Sequence, residues 1–81
     1  MYSIYARLFG KTRHLEDPLE AGRRMGVMAH RKLMYDMNLD EPAIVDDRQL
    51  TRIINHVVPK DLTRQDTRDW RAGFLEGWMS L

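Results

Sequence analysis

Residues 21 to 29 read AGRRMGVMA and residues 72 to 80 read AGFLEGWMS, so the frame A-G-x-x-x-G-x-M stands twice, near opposite ends of an 81-residue chain. Both copies lie in stretches patterned as helix. An interior glycine costs a helix about 0.8 to 1 kcal/mol relative to alanine, so four of them call for a packing reason. At about 100° per residue, Leu19, Gly22, Gly26, Ala29, Leu33 and Met37 form one stripe. In the last helix the stripe is Trp70, Gly73, Phe74, Gly77, Trp78 and Leu81. Small residues four apart let two backbones approach closely, while the large neighbours fill the flanks. Two such grooves predict a direct crossing of the first and last helices within one chain. Pairing between copies through the same stripes is the alternative, which would make a homo-oligomer.

The helix boundaries are written in capping signals. DPLE puts Asp17 at a cap, Pro18 at the first helical position and Glu20 at the third. That helix should run to about Met37, with Asn38 as a left-handed stop and Pro42 forbidding continuation. VDDRQL gives Asp46 and Gln49 capping-box spacing, with Val45 and Leu50 placed to staple the turn. Pro59 ends this second helix, whose Leu50, Ile53, Ile54 and Val57 form a patch suited to cover the crossing. Thr63 and Asp66 open a third helix that runs towards the C-terminus. Residues 1–16 read two ways: Ile4, Tyr5, Leu8 and Phe9 suit a short helix stopped by Gly10, whereas Tyr2, Ile4, Ala6 and Leu8 would line a strand face. The short helix is favoured, because no second convincing strand exists to pair with. The expected fold is all-α, a single domain over residues 1–81 with three helices and a short N-terminal segment packed on them.

Composition narrows the function. A chain of this size buries only roughly 60% of its unfolded surface, too little for a large enclosed active site. No cysteine is present, so disulfides and thiolate metal sites are excluded and a reducing cytoplasm fits best. The N-terminus lacks a signal-peptide pattern, and no stretch approaches the roughly 18 apolar residues of a membrane span. Net charge is only +1, but residues 1–35 carry seven Lys/Arg against three Asp/Glu, and residues 36–47 carry five acids and no base. A near-neutral total argues against dominant nonspecific nucleic-acid binding.

Motifs for chemistry are missing. DMNLDEPAIVDD lacks the spacing and terminal Glu of a calcium loop. His14, His30 and His56 fall on three segments without the paired spacing of a zinc site, so each is expected at the surface or in a capping role. Glu76 has no polar partner in the sequence that would make it a catalytic acid, and no nucleophile elbow, P-loop or dinucleotide fingerprint occurs. No enzyme, cofactor or metal is expected. The candidate site lies instead on the first helix, opposite its glycines: Arg24, Val27, Met28, Arg31, Met34 and Tyr35. Methionine adapts its shape and aromatic and arginine residues anchor interfaces, so this face suits docking to a larger protein, unless the N-terminal segment covers it. The expected function is therefore a small soluble helical binding protein, of the inhibitor, adaptor or phage-type accessory kind.

A rival reading makes residues 46–80 a helix-turn-helix-like module that offers Arg64, Gln65, Thr67 and Arg68 to nucleic acid, with Arg64, Arg68, Arg71 and Leu75 as its outer face. Asp61, Asp66 and Asp69 would then meet phosphates, which counts against it. RDWRAGFLEGW, residues 68–78, resembles the tryptophan and glycine helix of ribosome modulation factor-like proteins, which are short, helical and ribosome-binding. Those proteins are strongly basic and this chain is not, so the resemblance implies only that a ribosome or other RNA-rich partner belongs among the alternatives.

Overall fold

The computed structural model describes residues 16–81, which form three α-helices and no strand: α1 (Pro18–Asp36), α2 (Asp47–Val57) and α3 (Arg64–Met79). The choice between helix and strand for the N-terminal segment falls on residues 1–15, outside the described ones. All three helices sit where the capping signals put them. Pro18 opens α1 after an extended Asp17. One detail differs: the Asp17 side chain caps nothing, and only its backbone carbonyl enters the helix, accepting from Ala21 N–H at 2.9 Å. At the other end Asn38 takes φ 56°, the left-handed turn that asparagine tolerates. Asn38 N–H donates to the Tyr35 carbonyl and Leu39 N–H to the Met34 carbonyl, which is a Schellman ending.

The box at α2 is complete, with Gln49 N–H on Asp46 Oδ1 at 2.8 Å and Asp46 N–H on Gln49 Oε1 at 3.1 Å. At α3 only half of one forms, Asp66 N–H donating to Thr63 Oγ1 at 3.0 Å.

The crossing is reciprocal and runs through all four frame glycines. A Cβ on Gly22 would stand 2.0 Å from the Trp70 carbonyl oxygen, and one on Gly26 would stand 2.2 Å from that of Phe74. From the other side, a Cβ on Gly73 would meet the Leu19 oxygen at 2.1 Å and one on Gly77 the Arg23 oxygen at 2.0 Å. Each glycine thus turns its Cα–H towards a carbonyl of the opposite helix, a contact worth perhaps 0.5 to 1 kcal/mol. A step of one turn along α1 advances the contact by one turn along α3, so the two helices run parallel. Both grooves are filled by the chain's own helices, and pairing between copies through these frames would have to displace that crossing. α2 stands further off and is held by side chains, with Leu50 and Ile54 buried against Trp70, Phe74 and Trp78 and with Ile53, Val57 and Val45 packed at the edge.

Met37 departs from expectation, and His30 takes the capping role rather than the surface position. Met37, placed on the glycine stripe by periodicity, is 58% exposed because the helix ends at Asp36 and Met37 turns out as the cap. His30, expected at the surface or as a cap, is buried one turn beyond Gly26. Its ring stacks on Trp78 with centroids 4.2 Å apart and planes 10° from parallel. Nδ1 lies 2.8 Å from the Trp78 carbonyl, and Nε2 lies 2.8 Å from the amide nitrogen of Ala43. A carbonyl only accepts and an amide N–H only donates, so the ring is neutral with its proton on Nδ1. The Trp78 carbonyl is among the last four of α3, which have no partner within the helix. His30 therefore caps α3 from α1 and pins the connection that follows α1 over the crossing.

Candidate interaction surfaces

Packing one face of α1 against α3 turns the opposite face outward, and the candidate residues lie on it. Arg24, Met28, Arg31 and Tyr35 are exposed, at intervals of four, three and four residues that keep them in one row; Val27 and Met34 flank the row half-buried. Met28 is 56% exposed and Tyr35 86%. Along the N-terminal half of this face runs a shallow depression of about 750 Å3, lined by Glu16, Glu20, Arg24, Val27, Met28 and Arg31 among others. Its charge is mixed, since Arg24 forms an ion pair with Glu16.

The basic run of α1 does not form one patch. Arg23 leans across the seam to α3, donating from Nε to Glu76 at 2.7 Å, and also pairs with Glu20. Those hydrogen bonds, to Glu76 first and Glu20 second, raise its pKa above the ordinary guanidinium value. Glu76, without a partner when read in sequence, is thus half of an interhelical clasp. Lys32 reaches Asp36 at 3.1 Å. With His30 buried as well, Arg24 and Arg31 are left beside the methionine and tyrosine.

The alternative face on α3 also divides. Arg64, Arg68 and Leu75 are exposed on the side away from the core, Leu75 to 41%. Arg71 is not with them: its guanidinium donates to Asn55 Oδ1 on α2 at 2.8 Å and serves to hold α2 and α3 together. Gln65, offered to a base edge in the nucleic-acid reading, donates to Asp69 at 3.0 Å.

One surface escaped the sequence reading. Met37, Leu39 and Ile44 crowd the connection between α1 and α2, and Ile44 is 98% exposed. The apolar run AIV before Asp46 carried that signal, but only Val45 was given a role, as part of a helix staple. Among the described residues no group of three or more His, Cys, Asp or Glu side chains is placed to hold a metal ion, and no helix is long and apolar enough to cross a membrane. No protein-family model matches the chain, and neither a curated protein nor a solved structure shows significant similarity to it.

Proposed function

We propose that the chain is a binding protein that docks on a larger protein through the outer face of α1, with Met28 and Tyr35 as anchors and Arg24 and Arg31 as the rim. The observation that carries this reading is the exposure of Met28 and Tyr35 on a helix whose other face is committed to the glycine crossing. Buried aromatic and apolar anchors contribute most of the affinity at interfaces, while rim charges act mainly on association. So small a chain without cysteine suits an inhibitor or adaptor working in a reducing compartment such as the cytoplasm. The test is capture of a partner from native extract by the parent and by Met28→Ser with Tyr35→Ser. The double variant should fold within about 0.5 kcal/mol of the parent and lose partner affinity by about 2 kcal/mol or more. Lost stability with retained capture would mean that these residues are covered by the chain's own N-terminal segment. The rival reading rests on the exposed Arg64 and Arg68; capture that nuclease abolishes and that falls steeply with salt would favour it.

A further inference from the structure

Between the last turn of α1, the connection after it and α2 lies a groove of about 350 Å3, within the range of small-ligand sites. It shares no residue with the outer face of α1. Its walls are apolar, built from Leu33, Met37, Leu39, Ile44 and Ile53. Its polar lining is confined to Gln49 and Arg52, one turn apart on the same side of α2. Gln49 has its Oε1 engaged by the Asp46 amide, so the side-chain NH2 is left to donate. Arg52 makes no hydrogen bond or ion pair with the described residues. Both unused groups are donors, and one is a permanent cation.

An apolar trough whose polar side chains offer only donors suits a ligand with an apolar body and an anionic acceptor. A carboxylate fits the guanidinium, which can grip both of its oxygens. We infer that this groove binds an amphiphilic monocarboxylate of the fatty-acid class, its tail along Leu33, Met37 and Ile53 and its carboxylate on Arg52 and the Gln49 amide.

The test is a titration of the full chain with sodium decanoate, followed by amide chemical shifts. Saturable shifts are expected at Leu39, Ile44, Arg52 and Ile53. Decanol, with the same number of carbons and no charge, should bind at least about tenfold more weakly, and Arg52→Gln should bring decanoate down to that level. Octanoate, two methylenes shorter, should bind more weakly than decanoate by about fifteenfold, since each buried methylene is worth roughly fourfold. Arg52 is exposed, and an unchanged amide spectrum of the free variant will show that it folds. Equal binding of decanoate and decanol, unchanged affinity in Arg52→Gln, or no saturable binding would overturn the inference. Tighter binding of a short peptide with a free C-terminal leucine would overturn the choice of ligand class.

Discussion

His30 shows how much one side chain can carry in so small a core. It satisfies an end carbonyl of α3, anchors Ala43, and lies flat on Trp78. Only the neutral form with the proton on Nδ1 makes both bonds. Imidazole 15N shifts should therefore show Nδ1 protonated and Nε2 bare; a proton on Nε2 would contradict the arrangement. Replacing the ring by leucine keeps apolar bulk and deletes both bonds, leaving a carbonyl and an amide without partners. The expected loss is roughly 2 to 4 kcal/mol in a denaturant melt. The position was not legible in the sequence, because a histidine between Ala29 and Arg31 reads equally as part of a solvated basic run. What distinguishes it is its place one turn after Gly26, and that acquires meaning only once the opposite helix is known to end there.

At the level of elements, the same residue type at equivalent positions does different work. Asp46 and Asp17 both precede helices, yet only the Asp46 side chain accepts from the turn it heads. Asp46→Ala should cost about 1 kcal/mol, whereas Asp17→Ala should stay within about 0.5 kcal/mol; equal losses in a melt would deny the distinction. The three helices, the caps of α2 and α3 and the Asn38 stop could be read in advance because they depend on neighbours along the chain. So could the glycine crossing, since four small residues on two apolar stripes have few other uses. The parallel sense of α1 and α3 could not, nor could the turning of Arg71 towards Asn55. The exposed groove beside α2 could not either. Each depends on how the connections bring distant residues together, and no local pattern encodes that. The outer face of α1 was legible for a related reason: once the glycine stripe is committed to α3, geometry sends Met28 and Tyr35 the other way.

Across the whole molecule, the backbone contact of α1 and α3 sets the position of everything else. Trp70, Phe74 and Trp78 stack in a row beside it, with centroids 5.5 Å and 6.0 Å apart for successive rings. α2 covers that row, the clasp of Arg23 and Glu76 closes one flank of the seam, and the two candidate surfaces are what the crossing leaves outside. The most direct measurement is the melting temperature of Gly26→Ala, because its sign separates two explanations. If Gly26 were merely a poor helix residue, alanine would stabilise α1 by about 0.8 to 1 kcal/mol. In the crossing, the added Cβ would lie 2.2 Å from the Phe74 carbonyl oxygen and 2.9 Å from the Trp78 nitrogen, both backbone atoms that cannot rotate away. The variant is expected to be less stable by about 1 to 3 kcal/mol, melting at least about 4 °C below the parent. A variant that melts at or above the parent temperature would show that α1 and α3 do not meet at these glycines.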